Sequence, residues 1–152
     1  MGKRGDRMRT LDTREYLDQA LAMLAEGAAS VPVPVTGNSM CPFLRPGDTA
    51  HLELPGEPLK KGDIVLFTRP DGRYILHRIV GRTPEGGFWI LGDNQTVPEP
   101  VEREQIRAVA AWVCRGGKTV RPGGALWWFY AHPWRILAPF RPKIANMRKR
   151  ER

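Results

Sequence analysis

The sequence predicts a mainly β domain built of short strands, with one N-terminal helix and an aromatic C-terminal segment. The chain has 16 glycines and 14 prolines among 152 residues, which indicates many turns and argues against a helical bundle. Short apolar runs lie between these turns, and helical periodicity is confined to one segment near the N-terminus. A chain of this length suffices for one domain with a hydrophobic core. We expect three regions: residues 1–30, 31–121 and 122–152.

The first region, residues 1–30, is predicted to contain a basic arm and an amphipathic helix. Residues 1–9 carry four basic side chains and one aspartate, a composition that predicts disorder. Between residues 12 and 25 the apolar residues recur at helical spacing; they are Leu17, Ala20, Leu21 and Leu24. Gly27 is expected to end this helix.

The second region, residues 31–121, is predicted to be the β domain. Its first residues belong to the segment AASVPVPV (28–35), which is expected to be extended because alternating prolines exclude a helix. The predicted strands are Thr49–Leu54, Asp63–Thr68, Arg73–Val80, Gly87–Leu91, Ile106–Cys114 and a short one at Lys118–Arg121. The run from Asp63 to Phe67 is apolar without alternation, as expected for a strand buried on both faces.

The third region, residues 122–152, holds three of the five tryptophans, all between residues 125 and 140. Pro133 and Pro139 interrupt this stretch, so it is not predicted to be a transmembrane span. Six basic residues follow among residues 141–152. Two interpretations fit the pattern: a membrane-interface anchor whose basic tail binds anionic head groups, or an aromatic cap on the sheet with a solvated tail.

The formal net charge of +8 raises the question of an anionic partner, either nucleic acid or a membrane surface. No helix-turn-helix precedes the β region and the basic residues concentrate near the chain ends, so nucleic acid is the less favoured partner. Cys41 and Cys114 lack metal-ligand spacing and are expected to be free thiols in a reducing cytoplasm. No metal or cofactor is predicted. Because the N-terminus has no apolar signal-peptide core, we expect a cytoplasmic location, peripheral on the cytoplasmic membrane face if the anchor interpretation holds.

The segment VTGNSMCPFLRPGD, residues 35–48, presents Ser39 on a turn formed by Gly37 and Asn38. Glycine and asparagine tolerate the positive φ angles that such a turn requires, and the prolines behind it stiffen the loop. A serine held on a rigid turn after a strand is typical of a nucleophile. An ordinary polar turn is the alternative interpretation.

A histidine and two carboxylates follow at other junctions between strands and turns. His77 lies between Ile75 and Ile79 on one face of a predicted strand. Partial burial there favours the neutral imidazole that accepts a proton, although a core histidine without such a role is the alternative. Asp93 lies in a Gly-Asp-Asn turn, and Glu99 follows six residues later. Together these residue types can supply a nucleophile, a base and an orienting acid.

Four short motifs occur in order along the β region. They are GNSMCPFLRPGD (37–48), KKGDIVLF (60–67), YILHRIV (74–80) and LGDNQ (91–95). Together they resemble the signal peptidase superfamily of serine peptidases, which includes type I signal peptidases and SOS-repressor-like peptidases. In most of these enzymes the base is a lysine before an arginine. Here His77 precedes Arg78, so the chain is most similar to the Ser–His branch found in archaeal and endoplasmic-reticulum signal peptidases.

The resemblance implies a small signal-peptidase-like β fold and a serine endopeptidase that cleaves a peptide or precursor protein by acyl transfer. The residues that match the catalytic positions of the family are Ser39 (nucleophile), His77 (general base) and Asp93 (first acid of the GD motif). Glu99 lies where the Ser–His branch has a second aspartate. Which of the two carboxylates orients His77 therefore stays open.

The oxyanion of such a reaction is expected to be bound by the backbone N–H of Ser39, helped by Thr36 or Asn38. The alternative function is a non-catalytic regulatory or nucleic-acid-binding domain, similar to the C-terminal domains of repressors. A third hypothesis is self-processing, because residues 25–30 present small side chains ahead of Ser39.

Overall fold

The structure, a computed structural model, describes residues 2–136, and of residues 2–12 and 135 only the backbone. The helices are α1 (Gly2–Ala25), α2 (Ala125–Ala131) and α3 (Pro133–Ile136), with a 3-10 turn at Arg103–Gln105. The strands are β1 (Val31–Pro34), β2 (Thr49–Glu53), β3 (Ile64–Thr68), β4 (Tyr74–Arg82), β5 (Phe88–Leu91), β6 (Glu99–Val101), β7 (Ile106–Arg115) and β8 (Lys118–Val120).

Within the described chain, the eight strands form one antiparallel sheet in the order β1-β2-β7-β3-β4-β5-β6, with β8 paired to β7. The predicted mainly β fold is therefore confirmed. The six predicted strands all occur, and their ends agree with the prediction within two residues. β6 was not predicted because it has three residues and includes Pro100, which lacks a backbone donor for the sheet.

The N-terminal helix is longer than predicted, since α1 begins at Gly2 rather than near residue 12. The prediction of a disordered arm over residues 1–9 is therefore wrong for the part of it that the structure describes. That stretch contains no proline, and its Lys, Arg and Met residues favour helix. The helix ends at Ala25, and Gly27 stops it as predicted, with a φ of +111°. The N–H groups of Gly27 and Ala28 donate to carbonyls of the last turn, an arrangement that closes many helices.

The two faces of the sheet carry separate hydrophobic clusters. The first cluster joins α1, β1, β2 and the loop after β1 to Trp127. The second lies on β3, β4 and β5 and includes Phe67 and Ile79. Alternation along β4 sends Leu76 to the first cluster, whereas the ring of His77 meets Phe67 of the second, edge-on at 6.1 Å between centroids. β3 is buried from Ile64 to Phe67, which confirms the prediction of a strand covered on both faces.

The C-terminal aromatic segment packs against the body of the domain through one side. Trp127 is buried, meets the Phe43 ring edge-on at 5.4 Å, and donates its indole N–H to the carbonyl of Gly62 at 2.9 Å. The other side exposes large apolar side chains, which are Leu126, Trp128, Phe129 and Ile136. The segment therefore caps the domain as one of the two interpretations expected, and the membrane-anchor interpretation stays a prediction.

The basic tail, residues 141–152, lies outside the described residues. Among the helices of residues 2–136, none is both long and apolar enough to cross a membrane.

Candidate active site

The loop between β1 and β2, residues 35–48, carries the predicted nucleophile. Gly37 adopts a φ of +75°, as the turn prediction requires, whereas Asn38 does not have a positive φ. The N–H of Cys41 donates to the Asn38 carbonyl at 3.0 Å, which closes a turn around Ser39. A glycine at position 37 is thus needed because other residues strain in this conformation.

The far end of this loop is fastened by a buried carboxylate. Asp48 accepts a hydrogen bond of 2.8 Å from the Arg115 guanidinium on β7 and one of 2.9 Å from the N–H of Arg45. The same guanidinium donates to the carbonyl of Phe43 at 2.6 Å. Burial raises the pKa of Asp48, but the hydrogen bonds from Arg115 and Arg45 outweigh it and lower that pKa below 3.8. The carboxylate is therefore charged at neutral pH and ties the loop to β7.

The Gly-Asp-Asn turn after β5 packs directly on the backbone of Ser39. The N–H of Asn94 donates to the Ser39 carbonyl at 2.9 Å, and the Asn94 side-chain amide donates to the Asn38 carbonyl at 3.2 Å. A Cβ atom at position 92 would lie 2.6 Å from the Ser39 carbonyl oxygen. Only a glycine at this position lets the two turns approach so closely.

Ser39 and His77 lie within hydrogen-bonding distance. The Nε2 atom of His77 is 3.0 Å from the Oγ atom of Ser39, although the two residues come from different elements. His77 is 2% exposed, and its Nδ1 atom is buried with no hydrogen-bond partner among the described residues. Burial lowers the pKa of His77 from 6.5 to about 4. The lowered pKa agrees with the expectation of a neutral imidazole, and a neutral imidazole can accept the hydroxyl proton.

Asp93, one of the two candidate orienting acids, does not hydrogen-bond to the Nδ1 atom of His77. Both carboxylate oxygens of Asp93 accept hydrogen bonds from Arg78, each at 2.9 Å, and the two side chains are 1% and 4% exposed. Arg78 follows His77 on β4 and so points to the opposite face of the sheet. There the guanidinium lies over the ring of Phe43 at 4.9 Å. Asp93 therefore anchors its turn to β4.

Glu99, the second candidate acid, forms an ion pair with Arg69. The two side chains share hydrogen bonds of 2.7 and 3.1 Å and are about one third exposed. Glu99 does not hydrogen-bond to His77, whose Nδ1 has no such partner. Its charge nevertheless raises the pKa of His77, whereas the charge of Arg69 lowers it, and both effects are smaller than that of burial. Glu99 therefore acts on His77 through space.

A pocket of about 380 Å³ opens beside Ser39 and His77. Its walls come from α1, from β1 with the residues after it, and from the first half of β4. Leu52 and Leu66, both buried, form part of its lining. The sequence did not predict this pocket, because its walls come together from segments far apart in the chain.

A comparison with protein families supports a peptidase. The family model described as Peptidase S24-like matches residues 3–114, more than half of the chain. The chain belongs to the Peptidase S24-like family. The matched span starts in α1, includes Ser39, His77 and Asp93, and ends in β7. The chain matches no curated protein.

Membership of the Peptidase S24-like family indicates a serine-type peptidase that acts on a protein substrate. The resemblance drawn from the four motifs is thus confirmed at the level of an S24-like peptidase domain. The signal-peptidase role and the assignment of individual catalytic residues are finer statements, and they remain proposals.

The assignment of Ser39, Asn38 and Thr36 as oxyanion donors remains a prediction. The structure shows what surrounds these residues. Thr36 lines the pocket. The carbonyl of Asn38 accepts hydrogen bonds from Cys41 and Asn94. Because the N–H of Ser39 belongs to the same planar trans peptide group and points away from that carbonyl, the two hydrogen bonds fix its direction.

Two arginines near the site, Arg115 and Arg69, were not predicted from the sequence. Arg115 binds Asp48 at the end of the loop that carries Ser39, and Arg69 binds Glu99. The only local signal for either was a charge at the end of a strand, which is more often a solvated side chain. Both cysteines, Cys41 and Cys114, are free thiols as predicted.

Proposed function

We propose that the chain is a serine endopeptidase of the signal-peptidase type, with Ser39 as nucleophile and His77 as general base. The observation that carries the proposal is the 3.0 Å distance between Ser39 Oγ and His77 Nε2, which is short enough for proton transfer. The neutral state of His77, which follows from its lowered pKa, and the adjacent pocket support it.

The proposed reaction is acyl transfer in two stages. Ser39 Oγ bonds to the carbonyl carbon of the substrate while its proton passes to His77 Nε2, and the carbonyl oxygen becomes an oxyanion. The carbon–nitrogen bond then breaks, and the imidazolium gives its proton to the leaving amine. In the second stage His77 takes a proton from water, the resulting hydroxide attacks the ester, and Ser39 regains its proton as the acid product leaves.

We assign to Glu99, rather than to Asp93, the stabilisation of the transient imidazolium. A buried imidazolium is costly unless negative charge lies nearby. The charge of Glu99 raises the pKa of His77, and the charge of its ion-pair partner Arg69 acts in the opposite direction. Asp93 is bound to Arg78. Its proposed role is therefore to hold the Gly-Asp-Asn turn, and through it Ser39, in place.

The substrate is proposed to bind as an extended peptide along β4. β5 pairs with β4 from Arg78 to Arg82, so the stretch from Tyr74 to His77 has no strand partner on that side within residues 2–136. This free edge offers backbone hydrogen-bonding groups next to the pocket, and edges of this kind accept an added strand.

Ser39→Ala tests the proposed nucleophile, and Ser30→Ala is a matched control because Ser30 is the other serine of the chain. Each variant is incubated with a proteome-derived peptide library and analysed by mass spectrometry. We expect the wild type and Ser30→Ala to cleave the same peptides and Ser39→Ala to cleave none, with unchanged circular dichroism. A fluorophosphonate probe should label Ser39 in the first two proteins.

Undiminished cleavage by Ser39→Ala would refute the proposal. If the folded wild type neither cleaves peptides nor reacts with the probe, the non-catalytic regulatory domain becomes the better hypothesis.

We further propose that the exposed side of α2 and α3 contacts an anionic membrane surface and so holds the peptidase near its substrates. Support comes from the large exposed apolar side chains, among which Trp128 is 57% and Ile136 77% exposed. Six basic residues among residues 141–152 follow this surface in the sequence. Aromatic side chains next to basic residues are typical of peripheral membrane contacts.

A further inference from the structure

The helix α1 forms one wall of the pocket beside Ser39. Thr13, Tyr16 and Leu17 contribute that wall, while Val33 to Thr36 and Tyr74 to His77 contribute the two walls that meet at the Ser39–His77 pair. The pocket therefore lies between an N-terminal helix and the centre to which we assign catalysis. A side chain large enough to fill it would contact α1.

The position of α1 is fixed by contacts at the same place. The Tyr16 hydroxyl donates to the carbonyl of Pro32 on β1 at 2.6 Å, and the Tyr74 hydroxyl on β4 donates to the Asp18 carboxylate. Leu17 and Leu24 are buried in the first cluster. The helix is thus hydrogen-bonded to both neighbouring walls of the pocket. Its side chains therefore determine how wide the pocket is.

The pocket suits a large apolar occupant. None of its lining side chains is an Asp, Glu, Lys or Arg, so a charged group entering it would lose water without gaining an oppositely charged partner. Its volume of about 380 Å³ is more than twice the ~150 Å³ of an apolar cavity that binds benzene. An alanine or glycine of a substrate would leave most of this volume unfilled.

We propose that α1 is a specificity-determining wall, and that the enzyme selects peptides with a large aliphatic or aromatic side chain next to the scissile bond. The inference rests on the proposed peptidase function, since the occupant is assigned from the contact of the pocket with Ser39 and His77. It differs from the preference for small residues that underlies the self-processing hypothesis.

The test compares Thr13→Trp with Gln19→Trp. The first substitution places an indole on the pocket wall, and the second places one at an exposed position of the same helix. Two matched peptides are used that differ only in a phenylalanine or an alanine next to the cleaved bond. We expect Thr13→Trp to lower kcat/KM for the phenylalanine peptide at least tenfold while sparing the alanine peptide, and Gln19→Trp to change neither. Thermal unfolding verifies that both variants fold.

The inference is wrong if the wild type prefers the alanine peptide, or if Thr13→Trp and Gln19→Trp behave alike.

A binding measurement tests the inference separately from the proposed function. In the Ser39→Ala background, fluorescence anisotropy should show tighter binding of the phenylalanine peptide, lost on adding Thr13→Trp. Equal binding of the two peptides would overturn the inference even if cleavage is never detected. Selective binding without any cleavage or probe labelling would instead refute the peptidase while supporting the pocket.

Discussion

The imidazole of His77 lies in surroundings that disfavour its charged form, and this has a consequence for stability. Its pKa is about 4 in the folded chain and near 6.5 in an unfolded one. Between these values the unfolded state binds the proton and the folded state does not. Neutral His77 therefore contributes stability that is complete above pH 6.5 and is lost as the pH falls towards 4.

We predict that the free energy of unfolding falls between pH 6.5 and 4 more steeply in the wild type than in His77→Gln, which cannot titrate there. The difference in slope should approach 1.4 kcal/mol per pH unit, about the limit for one proton. Urea denaturation at several pH values measures this difference in slope.

If catalysis depends on neutral His77, the acid limb of kcat/KM should likewise lie near pH 4. Parallel stability curves, or an acid limb near pH 6.5, would contradict the burial that the structure shows.

Ser39 and His77 could be proposed from the sequence because local rules define their positions. A glycine turn after a strand presents the serine, and alternation along β4 sets the face of the histidine. The partner of Asp93 could not be predicted in this way. His77 and Arg78 are neighbours, and the approach of a turn 15 residues beyond Arg78 decides which of them meets the carboxylate. The pattern of residues along one strand does not show which distant turn packs against it.

At the scale of elements, the turn after β5 is held to β4 by the buried pair of Arg78 and Asp93. Arg78 also donates to the carbonyl of Gly62 at 2.9 Å, and the Asp93 carbonyl accepts the indole N–H of Trp134 at 2.6 Å. The pair thus joins β4, the turn before β3 and α3. Its rigidity is passed to Ser39 through the hydrogen bond from Asn94.

We predict that Asp93→Asn lowers the free energy of unfolding by about 3–5 kcal/mol, because it leaves the Arg78 charge buried without a counterion. Chemical denaturation measures the loss. Asp71→Asn is the matched control, since it breaks an ion pair with Arg73 whose side chains are more than half exposed, and little change is expected there. A stable Asp93→Asn with a shifted pH profile of activity would instead place Asp93 in the catalytic machinery.

The same contrast between local and distant information applies to whole elements. Periodicity predicted the helix over residues 12–25 and the strands of the sheet. Periodicity could not predict that α1 forms one wall of the pocket, because this wall exists only where β1 and β4 pack against the helix. The aromatic segment shows the difference most clearly. Its composition allowed a cap or an anchor, and burial of Trp127 establishes the cap without deciding about the exposed side.

At the scale of the whole molecule, exposed apolar side chains and basic residues both occur in the C-terminal part of the sequence. The exposed side chains of α2 and α3 are followed in the sequence by the basic residues of the tail. Insertion of aromatic rings and attraction of basic residues to anionic lipids add together in peripheral binding. The electrostatic part, about 1 kcal/mol for each basic residue near the surface, weakens with salt.

We predict that the full chain floats with vesicles containing phosphatidylglycerol and remains behind with pure phosphatidylcholine vesicles. Trp128→Ser should reduce flotation several-fold because it removes an exposed aromatic ring, and high salt should do the same by screening the tail. Trp112→Ser is the comparison, since Trp112 lies on β7, outside α2 and α3, and stacks on His51. Equal flotation of both variants, or none of the wild type on anionic vesicles, would leave the aromatic segment as a cap alone.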